Sequence, residues 1–277
     1  MMWKIQDRTI AFGRRGAIMG IVNATPDSFS DGGQFLDPDA AVEHALNLVA
    51  EGAEFIDVGG ESTRPRATPV DADEEKRRVL PVIAGLRKKS DVLISVDTYK
   101  PEVAEAAIRA GANIINNIAG FGGHDEMLDV VNKTGAGIVC MHMQGNPGNM
   151  QQSPRYDDVV RDVKTFFDAK LTSAIVAGID PERVVFDPGI GFGKTLEHNL
   201  TLLRHLPSLR VADRPILVGV SRKSFIGKVL GSEKMEDRFW PTVAMTAFCA
   251  QNGADILRVH DVRANYYALR MMEAIRG

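Results

Sequence analysis

Cysteine is scarce in this chain of 277 residues: there are two, Cys140 and Cys249. One sits in an apolar run that reads as a strand, the other in a helical pattern. Buried free thiols in a reducing compartment are therefore expected, not a disulfide framework. Long apolar runs are missing too, and none approaches the roughly 20 residues of a membrane span. The opening MMWKIQDRT lacks the apolar centre of a secretory signal, so a cytoplasmic location is the expectation. Charge of one sign never accumulates. The formal net charge is −3 and no long basic run occurs, which leaves nucleic acid or an anionic membrane without an electrostatic footprint. An anionic substrate would have to be held by local cations.

Several catalytic signatures are also absent. The six histidines show neither HExxH spacing nor a Cys/His pairing suited to zinc. No G-x-S-x-G elbow marks a hydrolase. The stretch GIGFGKT, Gly189 to Thr195, imitates a phosphate loop. The Walker pattern, however, needs a glycine where Pro188 stands, and the dinucleotide fingerprint needs one where Lys194 stands.

What the chain does have is a repeated event. Eight short apolar runs each end on polar residues: Ala17–Val22, Phe55–Val58, Val92–Val96, Ile114–Ile115, Ile138–Cys140, Val184–Phe186, Ile216–Val220 and Ile256–Leu257. After them come Asn23; Asp57 and Glu61; Asp97; Asn116 and Asn117; His142; Asp187; Ser221, Arg222 and Lys223; and Arg258, His260 and Asp261. Between the runs lie helical stripes at i, i+3, i+4 spacing: Val42, Ala45, Leu46 and Val49; Val79, Val82, Ile83 and Leu86; Val103, Ala106, Ala107 and Ala110; Val160, Val163, Phe167, Leu171 and Ala174; Leu200, Leu203 and Leu206; Ala244, Ala247 and Phe248; and a last helix from about Arg263 to Ile275. Pro81 is expected to kink or restart its helix. Strands alternating with helices, all releasing polar groups at one end, predict an α/β fold: a (β/α)8 TIM barrel in one domain over residues 1–277. A doubly wound sheet is the structural alternative. Trp3 to Phe12 read as a short β-hairpin plugging the barrel floor. Two connections, Asn23 to Pro38 and Gly59 to about Asp73, exceed the usual 2–6 residues and read as lids or binding loops.

The mouth residues offer specific chemistry. Asp97, Asn116 and Asp187 come from neighbouring strands, and buried carboxylates are costly unless donors meet them. A carboxylate beside an amide suits a flat heterocycle with adjacent N–H donors and a ring acceptor. Arg64, Lys223, Arg258 and His260 supply cations at or just past strand ends, suited to phosphate oxygens. Alternation puts Arg258 and His260 on one face of the last strand, turned into the barrel.

Several segments resemble the dihydropteroate synthase family: MGIVNATPDSFSDGG (Met19 to Gly33), GGESTRP (Gly59 to Pro65), MHMQGNP (Met141 to Pro147), DPGIGFGKTLEHN (Asp187 to Asn199), and VSRKSFIG (Val220 to Gly227) with RVHDV (Arg258 to Val262). The resemblance implies condensation of a dihydropterin-methyl diphosphate with 4-aminobenzoate. It implies that Asp97, Asn116, Asp187 and Lys223 hold the pterin and that Met141, Phe192 and Gly219 line its slot. Asn23, Thr63, Arg64, Arg258 and His260 would surround the diphosphate, with Mg²⁺ near Asn23. Phe29, Pro65 and Ser224 would meet the aminobenzoate, and the enzyme would be a homodimer. Asn117, Arg66 and Ala24 depart from the family pattern. A related barrel that passes a folate methyl group to a corrinoid protein is the alternative, but it would have no diphosphate to hold.

Overall fold

The computed structural model describes residues 1–13, 15–25, 37–62, 68–121 and 125–277. Phe29, Thr63, Arg64, Pro65 and Arg66 lie outside them. The chain opens with an antiparallel hairpin, β1 (Met2–Ile5) and β2 (Arg8–Ala11). It continues through β3 (Ala17–Asn23), α1 (Pro38–Ala50), β4 (Phe55–Gly59), α2 (Ala72–Lys89), β5 (Leu93–Asp97), α3 (Pro101–Ala110), β6 (Ile114–Asn117), α4 (Asp125–Thr134) and β7 (Gly137–Met141). Then follow α5 (Val159–Val176), β8 (Val184–Asp187), α6 (Leu196–Arg204), β9 (Leu217–Val218), α7 (Ser224–Leu230), α8 (Phe239–Gln251), β10 (Ile256–Val259) and α9 (Val262–Arg276).

The eight strands from β3 to β10 are parallel, in the order β8-β7-β6-β5-β4-β3-β10-β9. A parallel bridge between Phe186 and Ile216 brings β8 back towards β9, so the sheet curls into the expected barrel. Strand residues alternate between two cores. Ile18, Ile56, Ile94, Ile115, Ile138, Phe186 and Leu257 point outward into the layer beneath the helices. Met19, Phe55, Leu93, Ile114, Val139, Val185, Leu217 and Ile256 point inward and form a second, separate cluster. Trp3, Ile5 and Phe12 of the hairpin segment complete that inner cluster, so the hairpin is indeed the floor plug.

Three expectations need correction. The seventh run is a strand over Leu217–Val218 alone. The Ile216 N–H is taken by Asp255 Oδ2 at 2.8 Å, which withdraws it from the ladder. Pro81 neither ends nor restarts α2, which runs unbroken over 18 residues. It lies on the exposed face, while Val79, Val82, Ile83 and Leu86 are fully buried opposite it. Burial of that face, at about 1.5–3 kcal/mol per large side chain, offsets the lost backbone bond. In α8 the apolar stripe is the wrong face: Ala244 and Phe248 are exposed, and Thr242, Thr246, Cys249 and Ala250 are buried. The threonines can be buried because each hydroxyl is satisfied, Thr242 donating to Arg238 O at 2.7 Å and Thr246 to Asn265 Oδ1 at 2.7 Å.

Candidate active site

The site follows from the period of two along a strand. Two residues beyond each inward apolar residue, the chain sets an inward mouth residue: Phe55 gives way to Asp57, Ile114 to Asn116, Val139 to Met141, Val185 to Asp187, Leu217 to Gly219 and Ile256 to Arg258. On β5 the step takes one more repeat, from Leu93 through Ser95 to Asp97. Parallel register levels these residues, with Asp97 opposite Asn116 and Met141 opposite Asp187.

Arg258 is the hub. Its Nε donates to Asp57 Oδ2 at 2.6 Å and its Nη2 to Asp97 Oδ2 at 2.8 Å. Asn116 Nδ2 donates to the same Asp57 oxygen at 3.1 Å. Asp57 therefore holds a residue of β10 and a residue of β6 at once, from a fully buried position. Sequence reasoning placed Asp57 at a strand end but gave it no role. The signal was available, since it lies two residues past an inward phenylalanine. Asp57 Oδ1 and Ser95 Oγ are buried without a partner among the described residues, and a ligand that supplies donors at the mouth would satisfy them.

Asp187 is buried, and its Oδ1 accepts the Gly189 N–H at 2.7 Å. Lys223 donates to Ile190 O and sits 4.4 Å above the Phe192 ring. A methyl at Gly219 would stand 3.8 Å from Arg258 Cβ, so glycine leaves space beside that stem. His260, one residue past β10, exchanges a 2.9 Å hydrogen bond between its ring Nδ1 and Ser221 Oγ. Ser224 opens α7 and is exposed. Asn23 is half-buried at the end of β3, across from Gly59. The remaining polar strand-end residues are used structurally: Glu61 by Lys100 and Tyr99, Arg222 by Asp261, and His142 by Lys194.

Burial sets the electrostatics. It pushes the Asp97 carboxyl up to about 7; Arg258 opposes the rise, while Asp57, Glu75 and Asp187 add to it. It raises Asp187 as well, against Lys223, the Gly189 N–H, Arg258 and Lys194. Lys223 falls to about 8 through burial, held from falling further by Asp187 and Asp97 while Arg258 pushes the same way as burial. Burial also pulls on the Arg258 guanidinium, but Asp57 and Asp97 outweigh it and keep it above its ordinary value. Such mutually opposed groups in a cleft mark a working site.

Among the described residues, no three His, Cys, Asp or Glu side chains gather as a metal site. Asn23 offers one hard amide oxygen at the mouth. That donor fits a magnesium ion carried mainly by substrate phosphate oxygens and water, and does not amount to an all-protein cage.

A family model described as pterin binding enzyme matches residues 19–260. A curated dihydropteroate synthase from Synechocystis sp. is 45% identical over 264 residues, covering 95% of this chain and 91% of its own. The chain belongs to the dihydropteroate synthase family. Among solved structures, the Yersinia pestis dihydropteroate synthase in a sulfonamide drug complex matches at a TM-score of 0.93 and 43% identity, over 100% of this chain and 99% of that one. The Xanthomonas albilineans dihydropteroate synthase with 4-aminobenzoic acid matches at 0.92 and 45% identity, over 100% and 99%. These synthase relatives do not favour the corrinoid methyltransferase alternative.

Proposed function

We propose that the chain joins a (7,8-dihydropterin-6-yl)methyl diphosphate to 4-aminobenzoate, giving 7,8-dihydropteroate and diphosphate on the way to folate. The observation that carries this reading is the Arg258 hub: one guanidinium tied to Asp57 and Asp97, in a mouth shared with Asn116, Asp187 and Lys223. Asp97, Asn116, Asp187 and Lys223 hold the flat pterin edge, over a slot lined by Met141, Phe192 and Gly219. Arg258 keeps further N–H donors for the diphosphate, with His260 beside it and, from the segments outside the described residues, Thr63 and Arg64.

As the methylene C–O bond breaks, the departing oxygen takes the electron pair. Cations preorganised at the tail stabilise that charge without reorganising. Positive charge spreads from the methylene into the ring, where Asp97 and Asp187 stabilise it in their ionised forms, which burial disfavours and the neighbouring Arg258 and Lys223 favour. The neutral aniline nitrogen then bonds to the methylene carbon and afterwards loses a proton to solvent. It needs no strong base, so no catalytic triad is required. Phe29, Pro65 and Ser224 are assigned to the aminobenzoate. Asn23 would be the protein residue that holds a magnesium ion, which would supply further charge stabilisation to the leaving diphosphate.

We assign a homodimer. The large apolar side chains that the neighbouring helices α8 and α9 leave exposed (Trp240, Phe248, Tyr267, Met271 and Ile275) support it, because exposed apolar surface of this kind is frequent at interfaces. The two buried free thiols support a reducing cytoplasm. The test is a product assay with the purified chain, the pterin diphosphate, 4-aminobenzoate and magnesium. Dihydropteroate should accumulate with both substrates and should not with either alone. Chelation by EDTA should stop turnover, and full activity in metal-free buffer would remove the metal from the account.

A further inference from the structure

The loop Gly189–Gly193, rejected above as a phosphate cradle, is fastened at every carbonyl. Gly189 O accepts the Phe192 N–H at 3.0 Å. Ile190 O accepts from Lys223, Gly191 O from Gln151 Nε2 at 2.8 Å, Phe192 O from Lys194 Nζ at 2.9 Å, and Gly193 O from the Tyr156 hydroxyl at 2.8 Å. The loop is also pressed against the chain that follows β7. Gly189 and Gly193 both have positive φ, and a Cβ would stand 2.0 Å from His142 O and 2.4 Å from Gln144 O respectively. Nothing larger than glycine fits at either point.

Lys194 is the buried pin of this arrangement. It is 3% exposed, and three acceptors surround its Nζ: Phe192 O at 2.9 Å, His142 Nδ1 at 3.0 Å and His142 O at 3.2 Å. The three acceptors match the three N–H donors of the ammonium form, which they hold against the burial that lowers Lys194 itself to about 7. Nδ1 must be unprotonated to accept, and burial, with Lys194 beside it, holds His142 down at about 3. Phe166 packs edge-on against the imidazole, with ring centroids 4.9 Å apart. His142 also donates its N–H to Asp187 O at 2.9 Å, and Met141 precedes it. One buried amino group thus links both sides of the slot, the Phe192 wall and the Met141–His142 strand end.

We infer that Lys194 is a positioning residue for the pterin half of the reaction: it ties the Phe192 carbonyl to His142 and fixes the slot before substrate arrives. The inference rests on the synthase reading above. Lys194 touches neither reacting atom, so its loss should act on pterin recognition and spare the aminobenzoate.

The test is steady-state kinetics on Lys194→Met and Lys194→Gln beside wild type, with both substrates varied. For Lys194→Met, KM for the pterin diphosphate should rise about tenfold, since groups built to match a donor edge tolerate displacement poorly. KM for 4-aminobenzoate should stay within twofold. Lys194→Gln keeps an N–H₂ donor without the charge; it should raise the pterin KM about threefold and serves the comparison if Lys194→Met does not fold. Lys194→Arg, which retains a donating cation, should recover part of the loss. An unchanged pterin KM in the folded variants overturns the assignment. So does an equal rise in both constants with a lowered Tm, which is the signature of general loosening. Failure of the synthase reading is separate, because it would show as no product from the wild-type chain.

Discussion

The floor and the mouth of this barrel are built from the same strands, two residues apart. At the floor, Phe55, Leu93, Ile114, Val139, Val185, Leu217 and Ile256 close on Trp3, Ile5 and Phe12 with no charge among them. One pleat repeat higher, roughly 7 Å along the strand, Asp57, Asn116, Asp187 and Arg258 face the same interior. The backbone is continuous, so the side chains alone separate an end that stabilises from an end that reacts. The floor buries apolar area at no electrostatic cost. The mouth keeps carboxylates and cations out of water and relies on their mutual bonds to make that tolerable.

The comparison can be broken from either end. The largest effect is expected at the floor. Phe55→Ala should lower unfolding free energy by about 3–5 kcal/mol, the usual range for truncating a buried phenylalanine, as read by urea melts. The folded fraction should keep kcat within about threefold, and a collapse of kcat would mean the floor is part of the chemistry. Next is Arg258→Ala. It should cut kcat/KM by roughly 10² or more, the scale of losing one preorganised donor to developing charge. It should cost stability as well, because Asp57 and Asp97 lose their shared partner. A change under threefold would refute its role on the diphosphate.

Lys223→Met sharpens the contrast. Burial depresses this lysine to about 8, so its charge is held at a cost. Its removal should weaken pterin binding about tenfold by calorimetry while Tm stays level or rises. A falling Tm with intact pterin affinity would reverse the assignment.

The smallest effect is in pH. Asp97 is raised from its ordinary value to about 7, chiefly by burial. The folded state therefore binds a proton that the unfolded chain has released, and stability falls as pH climbs from about 4 to about 7. Asp97→Asn should flatten that limb, read as Tm against pH across the window. An unchanged slope would show that Asp97 titrates normally.

Much of this was legible in the primary structure, for a physical reason. Strands buried on both faces read as apolar runs, and helices over them show i, i+3, i+4 stripes, so the barrel, the floor hairpin and the inward mouth residues follow from local patterns. Features that depend on distant partners were not legible. Asp57 takes its role from Arg258, 201 positions away, and Lys194 from His142, 52 positions away. The buried face of α8 was misread because Thr242 and Thr246 are satisfied by hydrogen bonds that hydrophobicity does not encode. The seventh strand is short because Asp255, from the neighbouring connection, takes the Ile216 N–H.

The most direct test of the convergence is a crystal structure of the chain soaked with a non-reactive pterin-methyl diphosphate analogue. The account predicts the ring edge within hydrogen-bond reach of Asp97, Asn116 and Asp187, the ring beside Lys223, and the diphosphate against Arg258 and His260. A pterin bound elsewhere, or seated with its tail turned away from Arg258, would contradict it.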